Sequence, residues 1–423
     1  MVVLDFIINE IFGQGAIFLA LIALVGLLLQ RKSFTDVVRG TLMTAIGFFV
    51  LTQGTGIIAG ESIAPIAGAF AAIMPDANEI IDIDMGQYGT QIGIVMLVAF
   101  GANLIFARIT KWKSVFLTGH MLYWFPFIFI AAGISAGLTG TVLVIMAALF
   151  TAIYMILFPN LIRPLVKKVT GDDSFTLGHP ATFLSFIAAG VGKVAGNPEK
   201  STEQLNLSKK WGFLREVSIT GSIVIALTYI VMFFILRGNG YDPAEIWGYT
   251  GSSAFTFIFT RSIMFGVGVT VLLLGVRMLI AEIVPAFQGI AQKLIPGAVP
   301  ALDCPMLFPF APNALIIGFI VGMIVSTITI IITAGMSLFP VLVIPLVFTS
   351  FFEIGTASIF GNATGGVRGA VLGSAAAGIV MVFLVGLGAF FFEGTINGWM
   401  LVFGGNDFSL WGMIMGLVSR LFA

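Results

Sequence analysis

Thirty-nine residues near the middle of the chain, Gly275–Asn313, hold most of the groups able to do chemistry in an otherwise apolar sequence. The stretch reads GVRMLIAEIVPAFQGIAQKLIPGAVPALDCPMLFPFAPN and carries Arg277, Glu282, Gln288, Lys293, Asp303 and Asn313 among six prolines. Asp303 is an acceptor suited to substrate hydroxyls; its structural alternatives are an ion pair with Arg277 or a cap on a half-helix. Glu282 reads as structural, with Arg277 as its natural partner. The chain's two histidines, His120 in LTGHMLYWFP and His179 in TLGHPATF, each follow a glycine, which lets a ligand or another backbone approach closely. Either imidazole can bind a ligand, or cap or bridge helices. Thr55 and Gln53, in QGTGI, add a hydroxyl and an amide. These are hydrogen-bonding groups, suited to holding a polar molecule rather than to cleaving one.

The types of chemistry excluded are as informative. There is no GxxxxGK[ST] phosphate loop, so ATP is not the direct driver, and no zinc or serine-hydrolase pattern. Cys304 is the single cysteine, so no disulfide forms within one chain and no cysteine cluster holds a metal. Beside Asp303 it reads as inert packing, not as a nucleophile. No cofactor and no nucleic-acid partner are expected.

The elements that position these groups must cross a membrane. The chain has 423 residues, 58% hydrophobic and 9% charged, with a mean hydropathy of +1.09. Spans of roughly 20 apolar residues number about 11. They lie near 14–30, 41–60, 88–107, 115–134, 138–159, 217–236, 258–276, 313–334, 337–352, 370–392 and 398–420. Arg31, Lys32, Arg108, Lys111 and Lys113, the bases of 160–216, and Arg277, Lys293, Arg368 and Arg420 thread onto one face. That face is assigned to the cytoplasm, with the N-terminus outside and the C-terminus inside. The leading residues carry acids and no bases, unlike a cleaved signal peptide.

Two halves share a pattern: a span ending in a basic amphipathic stretch, then a Gly-rich, polar-interrupted segment. The reading is an all-α polytopic membrane protein, one permease domain over 1–423. Its first repeat is 1–159, its linker 160–216, its second repeat, inverted, 217–396, and its final helix 397–423. GHPATFLSFIAAGVGKVAG within 160–216 is a re-entrant or surface segment. QGTGI (53–57) is read as a break, and FFEIGTASIFGNATGGVRGA (351–370) as either an ordinary loop or a re-entrant hairpin, with Gly355, Gly361, Gly365 and Gly366 as hinges.

RGTLMTAIGFFVLTQGTGII, FLTGHM, the central stretch and FAPNALIIGF resemble, in order and over nearly the whole chain, the ascorbate-specific permease of the bacterial phosphoenolpyruvate-dependent sugar phosphotransferase system. The resemblance is to its membrane C component, of the ascorbate/galactitol group. It implies 11 spans in two inverted repeats, a homodimer with core and dimerisation domains, and an elevator-like displacement. It also implies that a separate phosphocysteine-bearing B component, charged by an A component, phosphorylates the substrate in the cytoplasm. Placement is then in the bacterial cytoplasmic membrane. The family's substrate contacts fall here on Gly54, Thr55, His120, His179 and Asp303. Where the family has a glutamine four residues after the first histidine, this chain has Trp124, whose flat indole suits stacking on a sugar ring. Pro180 and Ala181 replace glutamines after the second. The expected function is import of L-ascorbate or a closely related small hydroxylated substrate, with an ion-coupled secondary transporter as the alternative.

Overall fold

The computed structural model of the chain describes residues 6, 10–11, 14–73, 88–205, 213, 216–249, 253–339, 343, 347–392, 395 and 404–422. Among these, seven helices are long and apolar enough to cross a bilayer, and four further apolar helices are shorter. The all-α polytopic class is thus what the apolar runs form. Leu227, Phe234 and Ile331 are among the large apolar side chains left on the outside, where hydrocarbon rather than water suits them. Of the expected span at 337–352, residues 340–342 and 344–346 lie outside the described residues.

The chain begins with α1 (Gly15–Leu29) and α2 (Phe34–Gly56). QGTGI does not break the helix: α2 runs on through the wide turns Ile57–Ile63 into α3 (Ala64–Ile73). Glycine in a membrane helix usually serves close packing rather than termination, and it does so here. Gly40, Gly47 and Gly54 recur every seventh residue, two helical turns apart. Gly47 and Gly54 meet α10 (Ala254–Lys293) where it carries Gly268 and Gly275. A Cβ on Gly275 would lie 2.2 Å from the Leu51 nitrogen, and one on Gly54 2.3 Å from that of Leu272. The two helices therefore touch backbone to backbone.

Between them in sequence come α4 (Gly89–Ile109), α5 (Gly119–Ser135), α6 (Gly140–Thr170), α7 (Thr182–Ala195), α8 (Val217–Gly238) and the short α9 (Pro243–Trp247). Helix α6 runs straight through the expected boundary at 159/160, and the linker itself contains α7. Beyond α10 follow α11 (Pro312–Gly335), α12 (Gly355–Phe392) and α13 (Asp407–Ser419). Val347–Thr349 leads into α12 through the wide turns Ser350–Ile354. Glu282 does not pair with Arg277: it bonds Arg39 of α2 at 3.1 Å, because the α2–α10 crossing brings those two together.

Helix α12 doubles back on itself. Gly366, at φ 60° and ψ −150°, is its one non-helical residue, and a Cβ on Gly361 would lie 2.5 Å from the Gly369 carbonyl oxygen. In a straight helix those glycines would be about 12 Å apart along the axis. The segment read as a loop or a hairpin is therefore a hairpin, but it turns at Gly366 alone. Gly355, Gly361 and Gly365 stay helical and serve packing, Gly361 and Gly365 against Ala188 and Gly192 of α7. The tip is tied down by Asn197 N–H donating to Gly365 O at 2.9 Å and Val367 N–H to Lys200 O at 2.8 Å. The Gly366 dihedrals are open to glycine almost exclusively, and a Cβ would meet Asn197 O and Lys200 O at 2.3 Å. Gly366→Ala is expected to cost about 3 kcal/mol, from strain of 1–3 kcal/mol plus the clash. It should appear as a lower melting temperature in detergent, and an unchanged melt would contradict the turn.

One feature escapes a purely helical expectation: a three-stranded parallel sheet. Strands β1 (Ser114–Phe116) and β2 (Thr176–Leu177) flank the central β3 (Val299–Leu302). The register pairs Phe116 with Ala301 and Leu177 with Leu302. Every strand is buried, so its outer edge needs partners. Asn103 of α4 supplies them for β1, accepting from Phe116 N–H at 2.9 Å and donating to Ser114 O at 3.1 Å. Asn160 Oδ1 accepts from Ser114 N–H at 3.2 Å. Thr176 Oγ1 anchors β2 by donating to Pro159 O at 2.8 Å.

Candidate substrate-binding site

The sheet places the chemistry. All three strands run the same way, so their C-terminal ends lie together, and each end leads to a residue picked out from sequence. Phe116 is followed by Leu117, Thr118, Gly119 and His120; Leu177 by Gly178 and His179; Leu302 by Asp303. The ladder continues to the brink of the site, with Leu117 N–H on Ala301 O at 2.9 Å and Gly178 N–H on Leu302 O at 2.8 Å. Three segments more than a hundred residues apart in places are thus held in one register.

A cavity of about 350 Å³ opens at these strand ends. Helix α2 contributes Leu51, Thr52, Thr55 and Gly56; α5 gives Met121 and Trp124; the β2–α7 turn gives His179 and Pro180. Asp303, Pro305, Phe352, Glu353 and Phe408 complete it. Its size and its mixture of aromatic faces with few polar groups are those of a small-molecule site.

His179 is 5% exposed and its Nδ1 accepts from Ala181 N–H at 3.2 Å, which leaves Nε2 to carry the proton in the neutral ring. Nε2 lies 3.5 Å from Asp303 Oδ1. That same oxygen accepts from Cys304 N–H at 2.7 Å, capping the 3₁₀ helix Cys304–Phe310. Asp303 therefore faces His179, not Arg277, and caps as well as facing the cavity. The buried Tyr154 and Asp407 hold the histidine turn from behind. Tyr154 donates to Asp407 and, at 3.1 Å, stands on His179 O. The second Asp407 oxygen accepts from Phe183 N–H at 2.9 Å, and Asp407 N–H donates to Pro180 O at 2.9 Å.

Helices α5 and α7 both start at the cavity. Their positive dipole ends face it and favour an anionic or electron-rich occupant. Trp124 sits one turn into α5, its ring 5.1 Å from Tyr123 and 5.3 Å from Phe127, presenting an indole to the cavity. Thr55 lines the cavity from α2. Gly54 does not: its backbone is packed into Leu272 and Gly268 at the α2–α10 crossing. His120 is the second residue of α5, next to Met121, and its side chain lies outside the described residues. His179, Asp303 and Cys304 offer donor atoms within 4.8 Å of one another. Sequence reasoning missed Phe352, Pro305 and Phe408 as wall residues, and it placed Glu353 in a polar patch without assigning it to the site.

A multi-pass membrane protein with a largely apolar cavity that holds a few polar groups at broken, Pro-rich elements is a transporter-like architecture. The chain belongs to the EIIC-GAT family, described as the PTS system sugar-specific permease component, whose profile matches residues 10–407. It is similar to the "Ascorbate-specific PTS system EIIC component" of Mycoplasma pneumoniae (strain ATCC 29342 / M129 / Subtype 1), 28% identical over 422 residues. That match covers 86% of this chain and 63% of the relative's length.

Proposed function

We propose that this chain is the membrane permease of a phosphotransferase system, importing L-ascorbate or a closely related small hydroxylated substrate. A cytosolic phosphocysteine-bearing B component, charged by an A component, phosphorylates the substrate and makes uptake one-way. The observation that carries the reading is the strand-end cavity, where His179 and Asp303 face one another beside the Trp124 indole. Thr55, His120, Trp124, His179 and Asp303 hold the substrate: the polar groups take its hydroxyls or lactone and the indole stacks on its ring. Two helix N-termini support an anionic substrate in a cavity whose walls, among the described residues, include no lysine or arginine. Gly54 acts one step removed, by letting α2 approach α10.

In the same proposal the protein is a homodimer in the bacterial cytoplasmic membrane. Its N-terminus is outside and its C-terminus cytoplasmic, its halves are inverted repeats, and its core moves as an elevator.

Energised vesicles containing the protein test this. Labelled ascorbate, xylitol, galactitol and a pentose would be supplied with and without phosphoenolpyruvate and the soluble phosphotransfer proteins. Phosphorylated ascorbate is expected to accumulate only with the full relay. Phosphorylation of another compound in the panel would keep the mechanism and change the substrate. Accumulation of unmodified substrate without the relay, abolished by a protonophore, would overturn the proposal in favour of ion coupling.

A further inference from the structure

Glu353 is 2% exposed, yet it lines the cavity together with Thr55, Trp124, His179 and Asp303. One of its carboxyl oxygens is accounted for. Oε1 accepts from Asn406 Nδ2 at 2.9 Å, and the amide is fixed in that sense because Asn406 Oδ1 accepts from Phe408 N–H at 3.0 Å. The other, Oε2, is buried with no hydrogen-bond partner among the described residues. A carboxyl oxygen withdrawn from water without a partner is costly to keep, so a fold that keeps one usually has a use for it. No lysine or arginine among the lining residues can supply the missing partner. The donors Thr55, Trp124 and His179 share the wall but do not bond Oε2, so among the described residues the partner is left to the occupant of the cavity.

The local backbone agrees. Glu353 lies in the wide turns Ser350–Ile354, and across the cavity Thr55 and Gly56 immediately precede the wide turns Ile57–Ile63. Such π-turns shift the register of side chains around a helix and concentrate at functional sites. Just before α12, these turns hold a carboxyl group at the cavity wall.

We infer that Glu353 is a further substrate-binding residue, its free Oε2 pairing with one hydroxyl of the bound molecule. It therefore selects among hydroxylated substrates by whether that one position bears oxygen. The inference deepens the permease reading and rests on it. A hydroxyl both donates and accepts, so it can meet the carboxyl group in either protonation state. A substrate lacking that hydroxyl leaves the oxygen orphaned, and sites built in this way reject such analogues strongly.

Equilibrium binding to the purified full chain, without the phosphotransfer relay, tests this apart from transport. The probes are labelled ascorbate and the polyols and pentose above, then analogues of the tightest binder lacking one hydroxyl each. Glu353→Ala is expected to weaken binding of the parent about tenfold or more. Glu353→Gln, which keeps the shape and can still donate to a hydroxyl, should stay within about threefold. For one analogue only, the Ala variant should bind as well as the unmodified protein, because the partner is already missing. If the Ala variant fails to fold, the Gln variant carries the test: its affinity relative to the unmodified protein should shift by about threefold or more for one analogue and not for the rest. Unchanged affinity in both variants, or an equal loss against every analogue, would overturn the inference. If the unmodified protein binds no probe in the panel, the proposed substrate class falls, and the inference with it.

Discussion

Asp303→Ala is expected to lower substrate affinity by about 100-fold, the largest effect of any single side chain in the cavity. The replacement removes a carboxylate held between the Cys304 amide at 2.7 Å and the His179 ring at 3.5 Å. Two consequences follow at once. The cap on the 3₁₀ helix is lost, at a cost of about 1 kcal/mol to stability. The imidazole also loses the group that its Nε2 faces, and with it a preferred orientation. Asp303→Asn separates the two effects, because a side-chain oxygen can still cap while the charge is gone. The Asn variant should fold with nearly the original melting temperature yet bind about tenfold or more weakly. The comparison is between binding isotherms and melts of the two variants in one detergent. Full affinity in both would remove Asp303 from the site, however well placed it looks.

A second large effect is expected behind the cavity wall, at the α2–α10 crossing. Gly275→Val should destabilise the protein by at least about 3 kcal/mol, and much of it should fail to reach a monodisperse state in detergent. The added Cβ would lie 2.2 Å from Leu51 N, an atom of a helix backbone that has no rotamer by which to yield. Helices α2 and α10 would have to separate, and Thr55, one turn beyond Leu51, would withdraw from the cavity with them. Gly190→Ala on α7 is the control, since nothing lies within 4 Å of a Cβ there. It should be neutral or stabilising by about 0.5–1 kcal/mol, as alanine is the better helix former. Equal melts for both variants would mean that the close approach of α2 and α10 carries no load.

Much of this arrangement was legible in the sequence because the bilayer enforces a simple code. Apolar runs of span length became helices, and the polar residues stranded among them, Thr55, His179 and Asp303, converge on one cavity. What misled was glycine. In QGTGI and in FFEIGTASIFGNATGGVRGA glycine reads as punctuation, yet Gly54, Gly361 and Gly365 are surfaces against which other helices press. Of the glycines in those two stretches, only Gly366 breaks a helix. The seven-residue recurrence of Gly40, Gly47 and Gly54 was the available signal. Pairing was equally hard to read, because Glu282 has Arg277 close by in sequence, whereas its partner Arg39 arrives through tertiary packing. The three strands left almost no trace: two to four residues each carry no period, and Pro300 in VPAL argues against pairing.

The parallel ladder bears on how such a protein can change over time. His120, His179 and Asp303 follow their strands by four, two and one residues, and the strands are locked by Leu117, Gly178 and Val299 amides bonded across the sheet. Deleting or inserting one residue in those short connectors would shift a ligand by roughly 3.3 Å and turn it to the opposite side. Surface loops accept length changes; these connectors do not. New substrate preferences must then arise by exchanging side chains on a fixed frame, positions such as Trp124 and Pro180 being able to change what the pocket offers while leaving the spacing of its ligands untouched.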